Sequence, residues 1–272
     1  MSLPSSVSAV LPTDAAQTWE TIAPVLPDEL YLAGGTGLAV HLSHRKSRDL
    51  DFFYHRGAVD LDTLCTRLRR LGSLTVTGRS TGTLNATFSK TKLQFLHADE
   101  ARAQHQLEPT TRVAGLDVAG IGDILAMKLN VITQRGELRD YFDVMAIEQQ
   151  TGRTVEDGLG LYVARHRLAP EQHVLDPVVR AFGYLDDVDE DDLIPVSRRE
   201  ITDYWAARQP DIIRTVARML GRPRHRPPAE RHHAPAPGAA PPATSSPTAR
   251  GGRVWVKPHR RNGKPVRGHY RG

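Results

Sequence analysis

One cysteine, Cys65, is all the thiol chemistry in this chain of 272 residues. A lone thiol excludes an intrachain disulfide framework and a cysteine-based zinc site. No apolar run approaches the roughly 20 residues of a membrane span. The N-terminus lacks the basic start and apolar core of a secretory signal. The expectation is a soluble, cytoplasmic protein with no membrane partner. From about 221 to 252 apolar side chains nearly vanish, in "RPRHRPPAERHHAPAPGAAPPATSSPTARGG". Such a stretch has too little to bury and reads as a disordered linker. The folded part is then roughly residues 1 to 220.

Formal net charge is +5, and the tail carries much of it. The rest is closer to neutral and includes an acidic run, "YLDDVDEDDLIP". A basic chain is compatible with a nucleic-acid partner, but charge of this kind sets steering and loose affinity rather than chemistry.

The hydrophobic period changes along the chain. "AAQTWETIAPVL" has the spacing of a short amphipathic helix, "ELYLAG" reads as a strand, and "TGLAVHLSH" returns to helical spacing. "RDLDFFYH" alternates and is rich in aromatics, as a strand would be. "VDLDTLCTRLRRLG" predicts a helix, and "SLTVTG", "GTLNATFS" and "TKLQFLH" predict three short strands. "RVAGLDVAG" reads as a further hairpin edge. After about residue 118 every pattern is helical, beginning with "IGDILAMKLNVITQRG" and "ELRDYFDVMAIEQQTG", each closed by glycine. This order predicts an α+β fold, with a small mixed-sheet module over 1–118 and a helical subdomain over 119–220 packed on it.

The stretch "LAGGTGLAVHLSHRKSRDLDFF", residues 32 to 53, carries the chemistry. On a strand, Asp49, Asp51 and Phe53 share one face while Leu50 and Phe52 take the other. The two carboxylates then have Cα atoms about 6.6 to 7 Å apart at roughly 3.3 Å rise per residue. They can reach one cation together, and without one they repel. Mg²⁺ takes such oxygens and keeps positions for water and phosphate. Upstream, Gly34, Gly35 and Thr36 close a strand and open a helix. Backbone N–H groups at a helix start attract phosphate, and glycine lets the backbone come close. An anion cradle facing a carboxylate pair is the apparatus of phosphoryl or nucleotidyl transfer.

These residues resemble the signature of the AbiEii-type nucleotidyltransferase toxins, a branch of the polymerase β-like nucleotidyltransferase superfamily. "GTLNATFSKTKLQFL" is similar to the strands that follow, and "GIGDILAMKLNVITQRGELRDYFDVM" to the second signature. The resemblance covers roughly residues 20 to 215. It implies metal-dependent transfer of a nucleotide from an NTP to an acceptor, in some members the 3′ end of tRNA. It also implies an antitoxin encoded beside the toxin, in toxin–antitoxin or abortive-infection systems. By position, Gly34, Gly35 and Thr36 match the phosphate-binding turn, and Asp49 and Asp51 the ligands of Mg²⁺ or Mn²⁺. Lys128 matches the lysine near the triphosphate, and Asp140 and Asp143 the later pair, with either free to face the site. The superfamily usually adds a third carboxylate from a neighbouring strand. The matching strand here offers Lys92 and Gln94.

Other side chains near these motifs have two readings each. Arg45, Lys46 and Arg48 fit either a solvated basic loop or contacts to triphosphate or RNA backbone, and Ser47 either a turn cap or a phosphate contact. Lys128 and Arg135, seven apart, can point the same way on a helix toward the nucleotide. His41, His44 and His55 show no recurring ligand spacing, so no zinc site is proposed. Residues 253–272 interleave basic and aromatic side chains around Asn262-Gly263, a two-residue hairpin signal. They read either as a small nucleic-acid or partner tag or as a marginal tail. The function that follows is a metal-dependent nucleotidyltransferase acting on RNA. Two alternatives use the same residues: a catalytically degenerate module that binds nucleotide, RNA or a partner, and transfer of NMP onto a protein hydroxyl.

Overall fold

A computed structural model gives the fold; it describes residues 3–55, 57–97, 106–134, 136–169, 172–185, 188, 191–220, 254–256, 259–261, 264–266 and 269–271. Residues Met1–Arg224 form one compact unit and His225–Gly272 a second.

The first unit is built on a seven-stranded mixed sheet. Its strands are β1 (Tyr31–Ala33), β2 (Leu50–Tyr54), β3 (Leu74–Ser80), β4 (Thr83–Phe88), β5 (Thr91–His97), β6 (Thr111–Val113) and β7 (Leu116–Val118), in the order β3-β4-β5-β2-β1-β7-β6. β1 is buried along its length, as a central strand of Tyr, Leu and Ala should be. It runs antiparallel to β2 and parallel to β7. β2 is parallel to β5, and its burial alternates strictly. Leu50, Phe52 and Tyr54 face one side, and Asp51 and Phe53 the other.

The first face is covered by α1 (Ser5–Val10), α2 (Thr13–Ile22) and α4 (Leu61–Leu71), which bury Val7, Trp19, Ile22, Leu64 and Leu68 against Phe52 and Phe95. α1 had no counterpart in the sequence reading. Six residues with two inward valines give too little periodicity to detect. α2 stops at Ile22, ahead of the expected end, because Pro24 offers no N–H to continue the ladder.

The second face meets α5 (Ile121–Gln134), α6 (Leu138–Thr151), α7 (Val155–Arg165), α8 (Gln172–Ala181) and α9 (Arg198–Met219), while α3 (Gly34–Leu42) follows β1 directly. Gly152, at φ +72°, closes α6, and a Ser197/Glu200 capping box opens α9. Trp205 on α9 is fully buried and packs on Phe182, so it belongs to the core. A buried ion pair between Arg165 and Asp123 ties α7 to α5, and Arg165 also donates to the Tyr31 hydroxyl at 2.9 Å. Asp123 accepts backbone N–H groups of Leu107 and Glu108, so its charge is satisfied on every side. Among the described residues no helix is long and apolar enough to cross a membrane.

In the second unit, β8 (Val254–Val256) pairs antiparallel with β11 (His269–Arg271), and β9 (His259–Arg261) with β10 (Lys264–Val266). The expected turn at Asn262-Gly263 and the linker over 221–252 lie outside the described residues.

Candidate active site

The site forms where β1 ends and β2 begins. Antiparallel register sets Ala33 opposite Asp51, so the glycine turn and the carboxylate meet by backbone pairing alone. Gly34 adopts φ +63°, the left-handed region that favours glycine. A Cβ there would stand 2.5 Å from Asp51 Oδ2. At Gly35 a Cβ would collide with the Arg45 guanidinium and approach Ser47 Oγ at 3.3 Å. The doubled glycine thus exists because three polar side chains close over the first turn of α3.

The cavity above this turn is lined by Gly34, Gly35, Arg45, Ser47, Arg48, Asp49, Asp51, Gln94, Lys128, Arg139 and Asp140, with apolar residues on its other walls. Asp49 and Asp51 both line it, although Asp49 precedes β2, so the strand alternation expected for the pair covers only Asp51. Asp51 Oδ1 is buried and has no hydrogen-bond partner. Burial first, and then the charge of Asp49, push the Asp51 carboxyl up to about 6; Lys128, Lys92 and Arg139 oppose that rise. An orphaned buried carboxylate oxygen with a second carboxylate two residues away fits a hard cation. Among the described residues no cluster of three His, Cys, Asp or Glu side chains is arranged as metal ligands. The aspartates are a pair. Gln94 lies opposite Asp51 on β5, and its Nε2 donates to Asn85 Oδ1 at 2.8 Å.

Along one wall lies a buried ion cluster. Asp143 is fully buried and accepts from Arg45 Nε at 2.6 Å, Arg45 Nη2 at 2.8 Å and His44 Nε2 at 2.7 Å. Lys128 Nζ sits 2.6 Å from Asp143 Oδ2 and 2.7 Å from Asp140 Oδ1. Burial opposes the Asp143 charge, but Lys128, Arg45 and His44 outweigh it and hold the carboxyl well below the usual range. Burial likewise opposes the Lys128 charge, and Asp140 and Asp143 outweigh it, keeping the ammonium above its ordinary value. Two cations and two anions cancel here, so the cluster is a rigid, neutral prop.

The structure separates the two later aspartates. Asp140 lines the cavity, and Asp143 stands behind Lys128 and Arg45. Thr36 does not line the cavity. Its hydroxyl is fully buried, 2.8 Å from Ser47 Oγ, and donates to the Asp49 carbonyl. Arg135 lies outside the described residues. Two arginines at the rim are held by the acidic run: Arg48 Nη2 by Asp192 at 3.1 Å and Arg139 Nη1 by Asp191 at 3.2 Å. Sequence reasoning left both acids out, because they are 144 and 52 residues from their partners and no local pattern marks them. It left out His44 as part of the Asp143 cluster for the same reason, at a separation of 99.

A mixed sheet with a strand–glycine–helix turn beside paired aspartates is the build of a nucleotidyltransferase. The chain belongs to the family described as nucleotidyl transferase AbiEii toxin of type IV toxin–antitoxin systems, whose profile matches residues 20–226. It is accordingly a toxin-type nucleotidyltransferase. The chain is similar to the uncharacterized protein aq_aa25 of Aquifex aeolicus (strain VF5), at 25% identity over 179 residues, covering 65% of this chain and 82% of that one. Among solved structures it is similar to JHP933 of Helicobacter pylori, at 18% identity and TM-score 0.47, covering 78% of this chain and 97% of that one. It is also similar to MenT4, the nucleotidyltransferase toxin Rv2826c of Mycobacterium tuberculosis H37Rv, at 16% identity and TM-score 0.42, covering 75% and 82%.

Proposed function

We propose that the chain transfers a nucleotide from an NTP to an RNA acceptor, with Mg²⁺ or Mn²⁺ as cofactor and the 3′ end of tRNA as the first acceptor to test. The observation that carries this reading is the Asp51 carboxylate: its Oδ1 is buried without a partner while its Oδ2 stands over Gly34, so a cation position and the glycine turn lie side by side. Asp49 and Asp51 hold the cation, which when bound neutralises phosphate charge and polarises the reacting phosphorus. Gly34, Gly35, Ser47 and Arg48 meet the phosphates. Thr36 acts one step back, fixing Ser47 and the Asp49 backbone.

An ammonium has three N–H donors, and Lys128 gives two to Asp140 and Asp143. Its third is available to the departing pyrophosphate. Asp140, at the cavity wall, orients that lysine; Asp143 anchors it. Residues 1–118 then act as the catalytic module, and 119–220 complete it with Lys128 and Asp140. A cognate antitoxin protein is the expected partner, in keeping with the family's type IV toxin–antitoxin systems.

The test is incubation of purified protein with each α-labelled NTP, Mg²⁺ and total RNA, with the double variant Asp49→Ala/Asp51→Ala alongside. Label on RNA with wild type only is the expected result, and it names the nucleotide. Label on protein moves the acceptor to a side-chain hydroxyl. No label from any NTP with folded protein overturns the reading and makes the missing third carboxylate the reason.

A further inference from the structure

Triphosphate and cation explain only half of the cavity. The β2–β5 register sets Asp51 opposite Gln94 and, one rung on, Phe53 opposite Leu96. Side chains two apart on a strand share a face. The cavity floor therefore changes from polar to apolar over a single step of about 7 Å. Facing it, α5 contributes Met127 and Val131, which flank Lys128 at helical spacing. The Phe53 ring lies against Tyr31 on one side, with centroids 5.9 Å apart and planes inclined by 25°, and lines the cavity. Phe53, Leu96 and Val131 are only half-buried, so part of their apolar surface is still open to the cavity.

Neither phosphate nor a divalent ion gains anything from such a wall. A flat heteroaromatic ring does, because stacking and apolar contact accept any π-face. Few side chains nearby can read the edge of a ring. Gln94 gives one Nε2 N–H to Asn85, which leaves its second N–H and its Oε1, and Arg139 lines the same cavity.

We infer that the slot between the Phe53–Leu96 rung and the Met127–Val131 face of α5 is the seat of a nucleobase, held by size and stacking. This rests on the nucleotide-transfer reading above. The base comes either from the donor NTP or from the 3′ end of the acceptor RNA; the chemistry is the same, and the experiment separates them.

The test measures KM for NTP, KM for acceptor RNA, and inhibition by inorganic tripolyphosphate, which has no base. Wild type is compared with Phe53→Ala, Val131→Trp and Phe53→Trp. Phe53→Ala opens the slot and Val131→Trp fills it. Each is expected to raise one of the two KM values about tenfold or more, with kcat changed less than threefold and tripolyphosphate inhibition unchanged. Phe53→Trp keeps a stacking ring and is expected to recover most of the binding that Phe53→Ala loses. A rise confined to NTP assigns the donor base, and a rise confined to RNA assigns the acceptor base. If neither KM moves, or if tripolyphosphate binding weakens in parallel, the slot is only structural support and the inference falls. Should wild type transfer to no acceptor, equilibrium binding of each NTP against tripolyphosphate decides the matter separately. Weaker NTP with unchanged tripolyphosphate upholds the slot although RNA transfer has failed; unchanged NTP binding overturns it.

Discussion

Two groups of charges lie within one cavity region and are treated in opposite ways. On the sheet side, Asp49 and Asp51 face each other's charge, and one Asp51 oxygen is buried without a partner. On the helix side, Asp143 has three cationic or hydrogen-bonding neighbours and Lys128 has two carboxylates. A folded chain leaves a buried charge uncompensated only where something else will compensate it. The contrast separates the part of the site that waits for a ligand from the part that holds its shape.

Breaking the closed side should have the largest effect on stability. Asp143→Ala leaves Arg45 and Lys128 buried with less compensation, and breaking a buried pair of this kind costs about 3–5 kcal/mol. Urea unfolding should show the free energy extrapolated to water falling by that amount with an unchanged slope, so that the midpoint drops by the loss divided by m.

The open side should respond in the other direction. The folded-state Asp51 carboxyl, at about 6, lies above its ordinary value of 3.8. Its contribution is therefore fully present below pH 4 and is lost as pH rises to about 6, a loss of no more than about 3 kcal/mol. In the absence of divalent cation, Asp51→Asn should flatten that fall in a pH series of melting temperatures. Mg²⁺ should restore stability to wild type and leave Asp51→Asn unmoved. A wild type whose melting temperature ignores Mg²⁺ at neutral pH would count against the cation reading.

A smaller effect is expected at the hinge between the two sides. Gly34→Ala forces a side chain into φ +63° and against Asp51 Oδ2, a strain of about 1–3 kcal/mol. Activity should fall further than stability, which a comparison of turnover with melting temperature would show. At the rim, Arg48→Ala removes an ion pair whose side chains are 53% and 85% exposed. Exposed pairs of this sort contribute less than about 1 kcal/mol, so its melting temperature should hardly change.

The same contrast explains what could be read from sequence. Gly34, Gly35, Asp49 and Asp51 lie within 20 residues, and the antiparallel pairing of β1 with β2 sets the glycine turn next to Asp51. The order of strands and helices was readable too, because each buries a face with its own period: Leu61, Leu64 and Leu68 on α4, or Leu50, Phe52 and Tyr54 on β2. Sequence could not decide between Asp140 and Asp143. They share a side of one helix, and what separates them is Arg45, 98 residues from Asp143. Nor could it see that the Thr36 hydroxyl turns inward, since that depends on where Ser47 and the Asp49 carbonyl fall after α3 reverses the chain. Local patterns show which groups are present; long-range pairing decides which are already used.

The division of the site between β2 and α5 also sets a schedule. Domains fold as they leave the ribosome, at roughly 5–20 residues per second. Asp49 and Asp51 are made well before Lys128 of α5 exists, and Asp140 comes later still. Any product terminated before α5 carries the aspartates without the lysine that faces them. Translation must run past Asp140 before the chain can bring both sides of this cavity together.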